Sequence, residues 1–180
     1  MSRVLGTLVY ARQNLSPYGG MRVLMLHRKK EPNKGLWVAP GGKVEMHESP
    51  LECAIRELRE ETGLTSHRMV LRGLVTEVSP REDYQWLLFI YVTDDAEGEL
   101  IACNEGHLAW VDVGAVPLLP IPAADAIFFP RIIHDGGPLY QARYTYDADL
   151  YLVQVEEFGL EEDRVRQGEQ GTGSFGRWRP

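Results

Sequence analysis

Cysteine is scarce. The chain has two in 180 residues, Cys53 and Cys103, and neither belongs to a CxxC pair. A disulfide-stapled scaffold is therefore not expected, and a reducing, cytoplasmic setting fits. Long apolar runs are missing too. The longest, WLLFIYV, is far too short to span a bilayer. The opening MSRVLGTLVYARQ alternates like a strand and lacks the apolar core of a signal peptide. Net positive charge is absent, since the formal net charge is -7. That argues against a protein that coats the phosphate backbone of DNA or RNA. It does not exclude a small nucleotide, because a metal ion can invert local charge. No internal repeat is visible. No nucleic-acid polymer and no membrane are expected as partners, and a homodimer is compatible with the chain.

Hydrophobic residues make up 44% and charged residues 25%, the balance of an ordinary globular domain with a core. RVLGTLVYA, MRVLMLHR, MVLRGLVTEV, YQWLLFIYV, LAWVDV and ADLYLVQV read as strands, and LWVAP as a short extended piece. NLSPYGG between the first two is a turn. A helix is predicted from about Pro50 to Thr62, and a second over AADAIFFPRII, kinked or stopped near Pro130. An α+β domain with a mixed sheet over 1–160 is the simplest architecture. The polar, Gly-rich segment 161–180 reads as a mobile tail.

The first helix is well specified at both ends. Ser49 suits the N-cap, Pro50 the first helical position, Glu52 the capping box and Gly63 the left-handed position after the end. At about 100° per residue, Glu57, Glu60 and Glu61 share one arc. Leu51, Ala54, Ile55 and Leu58 form the expected buried stripe beside it, and Glu52, Arg56 and Arg59 a third face. Glu57 and Glu61 are a like-charge i,i+4 pair, and Glu60 and Glu61 sit at the negative end of the helix dipole. Sequences accept such conflict chiefly at functional sites. Oxygen ligands without Cys or His favour a hard cation, Mg²⁺ or Mn²⁺. A solvated acidic face is the plainer alternative. The preceding Gly41-Gly42 allows close backbone approach to the same place.

Gly42, five residues, Glu48, seven residues, then Arg56-Glu57-Leu58-Arg59-Glu60-Glu61-Thr62-Gly63-Leu64 fit the pattern G-x5-E-x7-R-E-U-x-E-E-x-G-U at all nine defined positions. So many fixed positions make a specific signal. The stretch resembles the box of the Nudix hydrolases, and the flanking strand pattern extends the resemblance over about 4–158. The resemblance implies a Nudix-type α/β/α sandwich with a mixed sheet. It also implies Mg²⁺-dependent hydrolysis of a nucleoside diphosphate linked to another moiety. Carried over by position, Glu57, Glu60 and Glu61 would ligate metal or activate water, and the Gly41 carbonyl would complete the metal shell. Arg56 would orient the glutamates, while Gly42, Glu48 and Gly63 would hold the motif in shape.

Outside the box, HRKKEPNKGLWVAPGGK resembles the segment before the box in MutT-like pyrophosphatases. Arg28 stands where that branch contacts phosphate; a solvated strand end is the alternative. Glu105, in CNEGHLAWVDVGAVP, matches a loop carboxylate that adds to the metal site, or is an exposed loop acid. PAADAIFFP resembles the nucleobase segment of the animal 8-oxo-dGTP diphosphatases, with Asp125 on one of its paired aspartates and Ala124 on the other. Val38 stands where that branch has Asn. Trp37 is the best candidate for stacking on a base. The histidines His27, His47, His67, His107 and His134 show no metal spacing and read as structural or surface residues. A nucleoside triphosphate pyrophosphohydrolase with modest base preference is the first expectation. An ADP-ribose or nucleotide-sugar pyrophosphatase, suggested by Pro80, is the second. A nucleotide-sensing module without turnover is the third.

Overall fold

The computed structural model describes residues 3–15 and 19–159. The tail expected from Glu161 and the middle of the first turn lie outside them. In chain order the elements are β1 (Val4–Asn14), β2 (Met21–Arg28), β3 (Trp37–Val38), α1 (Pro50–Thr62), β4 (Val70–Val78), β5 (Gln85–Thr93), β6 (Gly106–Asp112), a 3-10 helix (Val113–Leu118), α2 (Ala123–Ile132), β7 (Tyr140–Tyr146) and β8 (Leu152–Phe158).

The long strand β1 joins two wings of one mixed sheet. From Val4 to Ala11 it runs parallel to β5, and from Arg12 to Asn14 it pairs antiparallel with β2. Beyond β5 come β4, β7 and β8; β2 pairs in turn with β3 and β6. Neighbouring strand residues point to opposite faces. Val9, Ala11 and Leu24 therefore pack on Ala54 and Leu58 of α1. Tyr10, Val23 and Met25 pack on the other face, in the cluster that holds Phe128, Phe129 and Ile132 of α2. Full burial of a side chain such as Leu58 contributes about 1.5–3 kcal/mol. The result is the expected α/β/α sandwich. Among the described residues no helix is long and apolar enough to cross a membrane.

Two features differ from the sequence reading. β7 was not anticipated, although YQARYTY buries Tyr140, Ala142, Tyr144 and Tyr146 in strict alternation. Helix α2 neither stops nor breaks at Pro130 but runs on to Ile132. It continues because the following turn still closes, with the Ile133 N–H donating to the Phe129 carbonyl at 3.1 Å.

The segment that carries the glycine pair is fixed to the free edge of β1. Val9 N–H donates to the Pro40 carbonyl and Thr7 N–H to the Gly42 carbonyl, both at 2.8 Å, and Val44 N–H donates to the Leu5 carbonyl at 2.9 Å. Residues 40–44 thus lie as an extra strand-like piece beside α1.

Candidate active site

Both ends of α1 are capped as the sequence predicts. Ser49 Oγ accepts from the Glu52 N–H at 3.3 Å, and the Glu52 carboxylate accepts from the Ser49 N–H at 2.7 Å. Gly63 adopts φ 80° and its N–H closes on the Arg59 carbonyl. The rotation of the helix differs from the expected stripe. Leu51 is 42% exposed and Ile55 only half-buried, whereas Cys53 is fully buried and Glu61 is 9% exposed. The cause is the 40–44 segment, which covers the Cys53 side: the Cys53 thiol lies 3.3 Å from Thr7 Oγ1 and 3.4 Å from the Lys43 carbonyl oxygen. Burial moves onto the acidic arc and takes Glu61 with it.

Arg56 is not on a separate face with Glu52 and Arg59. Its guanidinium reaches across to the acids. It donates to both oxygens of Glu48, at 2.6 and 3.0 Å, to Glu57 Oε1 at 2.7 Å and to Glu60 Oε2 at 3.3 Å. Its five N–H donors let one planar group hold both oxygens of Glu48 and still reach two other carboxylates, a fork that the single ammonium of a lysine does not reproduce. Arg56 pulls the Glu48 carboxyl down to about 2. Burial instead pushes the Glu57 carboxyl up, and the Arg56 charge only partly offsets this.

Gly42 lies directly against Glu57. A Cβ on Gly42 would sit 2.1 Å from Glu57 Oε1, so only glycine leaves that carboxylate room. The Gly41 N–H donates to Glu61 Oε2 at 2.9 Å. The Pro40 and Gly42 carbonyls face β1, and alternation turns the Gly41 carbonyl the other way. Burial pushes the Glu61 carboxyl up to about 7; the charges of Glu105 and Glu57 add to the rise, and Gly41 and Arg28 oppose it. Glu105 and Arg28 form an ion pair of 2.8 Å. The Glu105 carbonyl also accepts from the Lys29 N–H at 2.8 Å. The structure thus brings Arg28, Gly41, Glu57, Glu61 and Glu105 to one neighbourhood, with Glu48 and Glu60 tied to it through Arg56.

The expected base-binding residues are more dispersed. Trp37 stacks on His27, ring centroids 4.9 Å apart, so one face of the indole is already covered. His27 is thereby more than a bare surface residue. Val38 is buried and pairs with Leu26, while Trp37 and Ala39 on either side belong to the α2-side cluster. Asp125 is buried on that α2 side and accepts from Tyr10 OH at 3.4 Å. Burial, with the charge of Glu77 added, pushes the Asp125 carboxyl up to about 8. Glu77 was not singled out from the sequence. One acid in the strand MVLRGLVTEV reads as a solvent-facing position, and only its register toward the core reveals it.

Among the described residues, no three His, Cys, Asp or Glu side chains converge on one point as a ready ligand set. Each box carboxylate is turned to a nearer N–H donor instead: Glu57 and Glu60 to Arg56, Glu61 to Gly41. The donor set still fits a hard divalent cation, because it is all oxygen and already crowds negative charge, with Glu57 half-buried and Glu61 buried.

Known proteins resemble this chain in sequence and in fold. The family model for the NUDIX domain matches residues 8–132. The uncharacterized Nudix hydrolase YvcI of Bacillus subtilis (strain 168) is 34% identical over 136 residues, 73% of this chain and 84% of the relative. The oxidized purine nucleoside triphosphate hydrolase of Danio rerio is 31% identical over 112 residues, 62% of this chain and 72% of the relative. A crystal structure of a MutT protein from Bacillus halodurans has a TM-score of 0.74 at 32% identity and covers 86% of this chain and 97% of that one. The box at fixed spacing, the sandwich that presents it and the matched family model lead to one conclusion: the chain belongs to the Nudix hydrolase family, enzymes that act on phosphoanhydride bonds.

Proposed function

We propose that this Nudix hydrolase is a Mg²⁺-dependent pyrophosphohydrolase of nucleoside triphosphates, releasing the monophosphate and pyrophosphate, with Mn²⁺ as an alternative metal. The observation that carries this reading is the meeting of the buried Glu61 with the Arg28–Glu105 ion pair beside Glu57. It sets a cation for phosphate beside carboxylates for metal and water. The Danio rerio relative, named as a hydrolase of oxidized purine nucleoside triphosphates, supports the same substrate class. In this reading Glu57, Glu60, Glu61, Glu105 and the Gly41 carbonyl hold the metal. When bound, the metal neutralises phosphate charge and lowers the pKa of water. Glu57 is the favoured proton acceptor, with Glu61 close behind. Arg56 fixes the glutamate side chains, Glu48 anchors Arg56, and Arg28 contacts phosphate. Trp37 and Asp125 belong to the base side. A substrate panel with Mg²⁺, resolved by product chromatography, tests the reading. Monophosphate and pyrophosphate from nucleoside triphosphates are expected. Activity confined to ADP-ribose would overturn it and transfer the site to the ADP-ribose class.

A further inference from the structure

Helix α1 is held on one flank and bare on the other. The 40–44 segment covers its Cys53 side, and Ala54 and Leu58 pack with Val9, Ala11 and Leu24. At about 100° per residue, Leu51 and Ile55 fall on the flank turned away from Cys53. Leu51 is exposed and Ile55 half-buried, and neither joins a buried cluster. The 40–44 segment lies on one edge of β1 and β5 on the other, so the bare flank faces β5. The sheet there is open too. Strand partners in register share a face. Leu5, Leu87 and Thr76 therefore form one row, and Phe89, Leu74, Gln141 and Phe158 the next. Phe89 packs on the α1 cluster and so fixes the side. Leu5 is 38% and Phe158 46% exposed, and Leu74 and Leu87 are half-buried. None of these four belongs to either buried cluster.

Such a surface calls for a cover. β5 reads WLLFIYV, apolar on both faces, as strands do that are buried on both. Contiguous exposed apolar surface marks a place of interaction. The chain leaves the sheet at this face. Phe158 lies on it, and at Gly159 (φ 76°) the backbone turns beside Gln141, whose Nε2 would lie 3.7 Å from a Cβ there. The segment 160–180 follows. From β8 to β1 is four strand spacings, about 19 Å. The chain from Gly159 to Phe175 reaches up to about 55 Å, so length does not limit it. FGRWRP, at 175–180, carries Phe175 and Trp178. In an extended chain these lie about 10 Å apart, two strand spacings. The same stretch holds Arg177 and Arg179 and no acid. Glu52, next to Leu51, has no ion-pair partner among the described residues.

We propose that the segment 175–179 of the same chain docks on this open face, with Phe175 and Trp178 seated between Leu51 and Ile55 of α1 and the Leu74 and Leu87 rows of the sheet. Two aromatic side chains of about 150–250 Å² each supply the apolar area that these leucines lack. Arg177 and Arg179 flank Trp178 and face the acidic start of α1 at Glu52. The docked segment is a second clamp on α1, opposite the 40–44 segment. It steadies the helix that carries Glu57 and Glu61 without touching them. None of this depends on which substrate the acid cluster takes.

The test uses the full chain. Melting curves are taken for the wild type, Trp178→Ala, Leu87→Ala and the double variant. Trp178→Ala should lower the melting temperature by about 2–4 °C. In the Leu87→Ala background the same change should cost clearly less, because residues in contact do not add. If Leu87→Ala does not fold, Leu5→Ala takes its place in the cycle. No loss in Trp178→Ala, or losses that simply add, would overturn the proposal. Methyl NMR gives a second reading. The Leu74 and Leu87 methyl signals should move in Trp178→Ala, while those of Leu24 and Leu58 stay. Unmoved Leu74 and Leu87 signals would overturn it as well. Light scattering at two concentrations tests a second copy as the cover. The mass should be the same in the wild type and Leu87→Asp. A dimer that Leu87→Asp abolishes and Trp178→Ala leaves intact would assign the face to the second copy instead.

Discussion

The contact between Gly42 and Glu57 gives a sharp mutational test. In Gly42→Ala the new methyl would start 2.1 Å from Glu57 Oε1, where ordinary contact begins at 3.4 Å, so the carboxylate must retreat by ~1.3 Å. The backbone need not move. Gly42 has no positive φ, and its carbonyl keeps the 2.8 Å bond from Thr7 N–H. The cost thus falls on the position of one carboxylate and not on the fold. A displacement of about 1 Å at a reacting group costs on the order of a hundredfold in rate, about 2.7 kcal/mol of transition-state stabilisation. The melting temperature should hold or rise slightly, since Gly→Ala at a compatible site stiffens the unfolded chain. Gly41→Ala is the contrasting control. There φ is 155° and the new Cβ would meet the Thr7 backbone oxygen at 2.0 Å, so the strand pairing itself must give. The assay is kcat/KM with Mg²⁺ beside a thermal melt for both variants. Gly42→Ala with wild-type rate would refute the reasoning, because the Glu57 carboxylate would then be free to sit elsewhere. Equal loss of melting temperature in both variants would refute it too.

Four further outcomes are expected. Glu57→Gln and Glu61→Gln should each lower the rate about a hundredfold or more, roughly 3 kcal/mol, while the fold survives the loss of like-charge repulsion. Glu52→Gln should only weaken the cap of α1, by about 1 kcal/mol or less; a comparable rate loss there would contradict the helix register. Chelation should abolish turnover, and added Mg²⁺ should raise the melting temperature by binding the native state; turnover that persists in excess chelator would contradict the metal assignment. The last concerns pH. Asp125, facing Glu77 and Tyr10, has its carboxyl pushed up to about 8 in the folded protein, against about 3.9 in an unfolded chain. The native state therefore holds an extra proton between those values. Stability should fall as pH rises from about 4 to about 8, then level off. Asp125→Asn should remove that part of the slope, and melts at pH 5 and pH 8 that fall equally in both proteins would show that Asp125 does not cause it.

The sequence by itself determined whatever depends on neighbours along the chain. The limits of α1 follow from Ser49, Pro50, Glu52 and Gly63, because capping is satisfied within one turn. The spacing of Gly42, Glu48, Arg56 and the glutamates identified the family for the same reason: all lie in one continuous stretch. The strands β1, β2, β4 and β5 were legible from their apolar runs. Tertiary structure decided which way these elements face. The 40–44 segment, not helical periodicity, rotated burial on α1 from Leu51 toward Cys53 and Glu61. The length of Arg56 carried its charge across to Glu48, Glu57 and Glu60, which a wheel of Cβ directions does not record. The charge of Glu77 acts on Asp125 only because β4 and α2 pack on one face of the sheet. Desolvation and charge coupling depend on distance in space, and a sequence pattern measures distance along the chain.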